Sequence, residues 1–286
     1  MKYLWILYTL IYAFLKGGRE GLKKFALKKS SSTEILFFYT LIGFVFTLPS
    51  FKQAFALPLE YIFLIFIKAG VVCTAWLFSF AALKRMSVSL YGIMDLLRMV
   101  FSTLLGVFAL GENLTVPKII GIILVVTGLM LVNRKKESSG AGQVTAFALM
   151  ASVLCCLFNS ISGTLDKVYM KYMTSAQLQF WFMFFMTVIY GVIILIRKEK
   201  ISFKNIKTNF YIPLMSLSLV IGDKLLFEAN AHPDSEVSLM TVIKQSAVIV
   251  TVTVGCVVFK EKHFLYKILC TAIVLAGIFV ALFVKI

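Results

Sequence analysis

Long apolar runs separated by short polar stretches follow one another along the whole chain. They fall at 3–26, 33–50, 59–83, 87–110, 115–133, 144–170, 175–196, 209–231, 236–259 and 264–284. A helix needs ~20 mostly apolar residues to cross the hydrocarbon core, which these runs supply. Backbone groups in lipid must bond within their own segment, and the runs are too long and unbroken for barrel strands. The pattern therefore predicts an all-α integral membrane protein with ten transmembrane helices. The polar, turn-rich stretch from Asn133 to Gly140 splits the chain into two five-helix units, 1–136 and 141–286.

Charged residues stand in the middle of the first, third, fourth, sixth, eighth and ninth runs, and are absent from the middle of the other four. A charge at bilayer depth costs ~2.5–3.5 kcal/mol by insertion scales, so it persists only where it faces a wet or paired interior. Six helices are thus expected to line a cavity and four to face lipid.

The two halves repeat. Val88-Ser89-Leu90 recurs as Val237-Ser238-Leu239, and at the same offset Gly106 meets Gly255, Glu112 meets Glu261 and Gly128 meets Gly277. Earlier in each half a slightly shorter offset places Lys24 on Lys167, Lys28 on Lys171 and Ser32 on Ser175. An odd number of helices per half inserts the copies with opposite orientation. That is the inverted-repeat plan of many secondary transporters, whose site lies near the midplane between halves.

A Ser-rich start to the fourth helix, then Leu110-Gly111-Glu112, then a fifth helix spaced by Gly121 and Gly128, resembles the drug/metabolite transporter superfamily. The pattern is most similar to the ten-helix EamA-like branch and covers essentially the whole chain, twice. The resemblance implies a cavity lined mainly by helices 1, 3, 4, 6, 8 and 9, the six already marked by their charges. The second copy departs from the family's Gly-Glu, having Lys260-Glu261.

Composition narrows the class. Of 286 residues 60% are hydrophobic and 15% charged, more apolar surface than a soluble domain of this length hides. The net charge of +16 lies mostly in loops, which fits orientation and contact with anionic lipid headgroups and not nucleic acid. The basic excess lies in loops 1–2, 3–4, 5–6, 7–8 and 9–10. The positive-inside rule then puts both termini outside the cytoplasm. The segment Met1 to Leu15 lacks a small-x-small cleavage site and reads as a first helix, not a removed signal peptide. The bacterial inner membrane is the expected location, and the protein a monomer or homodimer. Cys73, Cys155, Cys156, Cys256 and Cys270 all fall inside apolar runs without C-x-x-C spacing, so they read as small buried hydrophobes and not as metal or disulfide sites.

Helix 1 brings Lys16, Arg19 and Glu20 beside three glycines. Lys16 and Glu20, four apart, can pair on one face. The competing reading ends this helix near Leu15 and leaves an amphipathic surface segment. Helix 3 holds Lys68 with no acid within helical reach. Helix 4 holds Asp95 and Arg98, and the repeat offset lays Asp95 on Lys244 of helix 9, which suggests a gate pair near the central axis, with a static structural pair as the alternative. On helix 6, Asp166 and Lys167 are adjacent and must point to different faces. Helix 8 offers Asp223, Lys224 and Glu228, with the last two four apart.

These basic and acidic groups nearly balance, which suits a zwitterionic or anionic solute better than a hydrophobic cation. Trp76, Phe78 and Phe80 are candidates to flank the cavity. The acids are candidates for proton coupling. No Walker A or Gly-x-Ser-x-Gly motif occurs, and the two histidines lie in unrelated loops. The expectation is a secondary transporter of a small polar metabolite, an exporter or exchanger working by alternating access. It needs no cofactor or metal and is not an enzyme. A lipid flippase is the alternative, with a membrane-embedded enzyme behind it.

Overall fold

The computed structural model describes residues 4–110, 145–199, 209–232, 235, 240, 243–261 and 264–283, with scattered positions between 116 and 131. The fifth predicted run, the polar break at 133–140, Glu112, Gly128 and Val237-Ser238-Leu239 lie wholly or largely outside the described residues.

The helices are α1 (Leu4–Ala26), α2 (Ser32–Thr47), α3 (Leu59–Arg85), α4 (Val88–Met94), α5 (Arg98–Leu110), α6 (Ala146–Tyr169), α7 (Ser175–Arg197), α8 (Tyr211–Ala231), α9 (Ala247–Val258) and α10 (Phe264–Phe283). Their starts follow local chemistry. Ser31 accepts from the Glu34 amide ahead of α2, Thr145 from the Ala148 amide ahead of α6, and Thr174 with Gln177 forms a capping box ahead of α7. Among the described residues, the segments at Ser32–Ala54, Leu59–Arg85, Val88–Ala109, Ala146–Tyr169 and Ser175–Arg197 are long and apolar enough to cross a membrane. The outer surface exposes large apolar side chains, Leu59, Phe63, Phe108, Leu195 and Ile196 among them, while Lys16, Lys68, Asp95 and Asp166 are buried. Water would not tolerate that inside-out arrangement, and a bilayer favours it.

Helix α1 runs unbroken through Gly17, Gly18 and Gly21 to Ala26. The reading that ends it near Leu15 is overturned. The glycines serve packing: a Cβ on Gly17 would lie 2.6 Å from the Ala247 carbonyl oxygen, and one on Gly21 would lie 2.5 Å from Val254 Cγ1. One turn apart, they let the α1 and α9 backbones approach closely.

The fourth predicted run is two helices, interrupted by a 3-10 turn at Asp95–Leu97. The equivalent point of the second half is interrupted too. Ser246 donates its amide to the Ile243 carbonyl, an i to i−3 bond, and α9 begins after it. Irregular backbone at membrane depth is tolerated where it is buried in protein or lines a cavity.

Helices of the first half pack chiefly on helices of the second: α1 on α8, α3 on α6, α2 on α7 and α4 on α9. Exchanging the halves turns the first of these pairs into the second and leaves the other two unchanged.

Candidate functional site

Between the halves lies a cavity of about 130 Å³. It is close in size to the ~150 Å³ cavity that admits a benzene ring, but here charges line it, so water or a small polar solute suits it. Its walls come from α1, α3, α5, α6, α8 and the segment just before α9, with Tyr39 of α2 and Phe182 of α7 added. Helices 1, 3, 4, 6, 8 and 9 supply the charges, as their sequence positions implied.

The side chains fall into four groups. Asp95 stands between two cations, with Lys16 Nζ 2.6 Å from Oδ2 and Arg98 Nε 2.5 Å from Oδ1. Arg98 is placed here because the 3-10 turn precedes it, and its carbonyl accepts from Ser160 Oγ at 3.0 Å. On α1, Lys23 Nζ donates to Glu20 Oε1 at 2.8 Å and lies over the Phe80 ring. Across the cavity, Lys68 Nζ is 2.9 Å from Asp166 Oδ1 and 4.0 Å from the centre of the Phe182 ring. The fourth group is loose: Arg19 Nη1 is 4.0 Å from Asp223 Oδ1 and is buried without a hydrogen bond among the described residues. Lys244 also lines the cavity, and among the described residues it has no ion-pair partner. The charged groups acting on it are Lys16 and Arg98, of like sign, and Asp166.

These pairings correct several expectations. Asp95 and Lys244 do occupy the corresponding breaks of the two halves, but they do not pair. Asp95 is held by Lys16 and Arg98. Lys16 likewise does not take Glu20, which pairs with Lys23. Lys68 is not isolated, because α6 brings Asp166 to it. Sequence reasoning missed Lys23, Tyr12, Tyr39 and Gln245, all of which line the cavity. Lys23 had a signal, since it lies a helical turn beyond Arg19 and Glu20. The tyrosines had none.

A family model described as the EamA-like transporter family matches residues 3–134 and again 146–283. The chain belongs to the EamA-like transporter family. This transporter also resembles a solved structure titled only "Crystal structure of protein", with TM-score 0.62 and 14% identity, over 94% of this chain and 96% of that one. At that identity the likeness speaks for the fold alone. No curated protein matches the chain. It is therefore a multi-pass integral membrane transporter of the drug/metabolite superfamily, all-α in its described residues.

The remaining predicted site residues of the transporter lie outside the cavity. Lys224 and Glu228 are exposed on α8, and Glu228 accepts a hydrogen bond from Ser175 Oγ. Helical phase explains this, because Asp223 faces inward and its neighbour points about 100° away. Lys167 diverges from Asp166 as expected. It donates to the Asn230 and Ser235 carbonyls at 3.0 Å each and to Ser235 Oγ at 2.8 Å, which ties the end of α6 to the end of α8. Phe78 stacks on Phe158 instead of lining the cavity, whereas Trp76 lines it. The five cysteines are free, four of them buried. Among the described residues no three His, Cys, Asp or Glu side chains gather as metal ligands would.

The repeat motif has a structural role. Glu261 accepts from the Val88 amide at 2.8 Å and from the Ser89 amide at 3.2 Å, while Ser87 Oγ accepts from the Leu90 amide. The first three amides of α4 are thus satisfied, two of them by a carboxylate from the other half. Lys267 neutralises Glu261 at 3.0 Å.

Proposed function

We propose that this chain is a secondary transporter of a small polar metabolite, zwitterionic or anionic, working as an exporter or exchanger by alternating access. Two five-helix units, 1–136 and 141–286, inserted in opposite orientation, would rock about the cavity between them, for ten spans in all. The single observation that carries this reading is a charged cavity walled by both halves inside an apolar exterior. A protein with a purely structural role gains nothing from burying so many ionised groups at such cost.

Ion pairs that join different helices suit alternating access, because opening the cavity to either side must part some of them. Lys16–Asp95 links α1 to the turn before α5, and Lys68–Asp166 links α3 to α6. Asp223 has the loosest partner of the cavity acids and is the proposed proton site. Facing it are Arg19, Lys68, Asp166 and the hydroxyls of Tyr12 and Tyr39.

Counterflow tests the reading. Purified protein in liposomes preloaded with unlabelled amino acids, sugar phosphates or organic acids should accumulate the matching labelled solute. Absence of counterflow for every soluble class, with the protein folded, would defeat it and turn attention to lipid substrates.

A further inference from the structure

The charges of the cavity do not cancel, and where they fail to cancel is specific. Lys23 with Glu20, Lys68 with Asp166, and Arg19 with Asp223 each neutralise. Asp95 is shared by two cations, and Lys244 has no partner among the described residues. Among the described residues the cavity therefore carries an excess of positive charge, and Lys244 is its ammonium without an ion-pair partner. Lys244 itself is half-buried, and Arg19 Nη1 is a buried donor with no hydrogen bond among the described residues, as is Arg98 Nε, which lies against Asp95. Buried acceptor atoms without hydrogen bonds also exist, Glu20 Oε2 and Asp166 Oδ1, but each belongs to a carboxylate already neutralised by a lysine. Cations that face a cavity without a full complement of acceptors call for an anion.

The opposite character also has a place. Tyr39 and Trp76 lie 5.2 Å apart, Trp76 and Phe182 6.4 Å apart, and all three rings line the cavity. Trp76 is tilted by 42° to Tyr39 and stands edge-on to Phe182, over whose ring Lys68 Nζ lies at 4.0 Å. A planar apolar body fits such a surface, and rings pack on it in offset or edge-to-face geometry.

We infer that the transported solute is a small organic anion with a flat apolar body, its acid group held by Lys244 with Arg19 and its body against Tyr39, Trp76 and Phe182. This rests on the transporter reading and names the substrate class of the same cavity. The site asks two things of a ligand at once, a negative charge and a planar body, and either alone binds less well.

Four probes separate these demands. Benzoate has both features, acetate the charge alone, benzamide the plane alone, and benzylamine the plane with the wrong sign. The expected result is that benzoate raises the melting temperature of the purified transporter in detergent and quenches its tryptophan fluorescence, a quench lost in Trp76→Leu, and that the other three do so weakly or not at all. Lys244→Met should weaken benzoate binding by at least about tenfold, while Lys224→Met, outside the cavity, leaves it unchanged. Should Lys244→Met fail to fold, Trp76→Leu provides the second arm through the melting shift, and it too should lose benzoate. Equal binding of benzamide or benzylamine, or benzoate binding undiminished in the Lys244 variant, overturns the inference, as does an absence of benzoate binding. Counterflow keeps the two claims apart. Benzoate binding without counterflow defeats the transporter reading and spares the anion site, whereas counterflow of neutral or cationic solutes only does the reverse.

Discussion

Lys16 Nζ lies 2.6 Å from Asp95 Oδ2, joining helix α1 to the broken fourth span across 79 positions of sequence. Arg98 holds the other oxygen of the same carboxylate. Removing one member of a buried ion pair costs ~3–5 kcal/mol because the partner charge stays behind. Asp95→Asn strands two cations and should lower stability by that order, while the double variant Lys16→Met with Asp95→Asn should recover part of the loss. Denaturant titration of the purified protein measures both. A double variant no more stable than Asp95→Asn alone would mean the pair is not coupled.

Charges on the inner and outer faces of the same helix should behave differently. Lys68→Met leaves Asp166 buried and unpaired, so transport should fall by more than about tenfold. Lys224→Met and Glu228→Gln alter exposed groups and should leave transport rates within about twofold of the parent, as surface substitutions generally do. Transport in vesicles, corrected for the amount of protein inserted, decides it. Sensitivity at Lys224 equal to that at Lys68 would contradict the cavity described above.

Proton coupling has its own variant. Asp223→Asn keeps the shape of the side chain and removes its charge, so uptake driven by a pH gradient should disappear while counterflow of the substrate continues. Gradient-driven uptake surviving in Asp223→Asn would assign the proton to another acid.

Helix packing predicts opposite fates for adjacent glycines. A side chain at Gly17 meets Ala247 and Val250 at 2.6 Å, whereas nothing lies within 4 Å of one at Gly18. Gly17→Leu should abolish folding or transport. Gly18→Ala should be neutral or stabilise by up to ~1 kcal/mol, since alanine favours the helix. Thermal melting in detergent separates the two.

The cap from Glu261 is the fifth test. Glu261→Gln removes charge from two hydrogen bonds to the start of α4 and from the contact with Lys267, and charge-assisted bonds are worth ~1.5–3 kcal/mol each. The melting temperature should drop, with Ser87→Ala acting in the same direction through the Leu90 amide.

Much of this was legible in the sequence, because the relevant quantities are local. Apolar length decided the helix positions, and α1, α3, α6, α7 and α8 begin and end within a few residues of the runs that predict them. The cost of a charge in lipid marked the six helices that supply the cavity's charges, since that cost applies whichever partner is found. The repeat put Asp95 and Lys244 at corresponding points, and both lie at a break in their helix.

What the sequence did not determine is who pairs with whom. Lys16 with Asp95, Lys68 with Asp166 and Arg19 with Asp223 all join residues far apart in the chain. Their meeting depends on helix rotation and on approach distances fixed by glycines such as Gly17 and Gly21. Helical phase likewise turned Asp223 inward and Lys224 outward, although the two are adjacent. Hydropathy is a sum along one segment and reads off the sequence directly. Electrostatic pairing is a property of distances between segments, and only the packed bundle sets those.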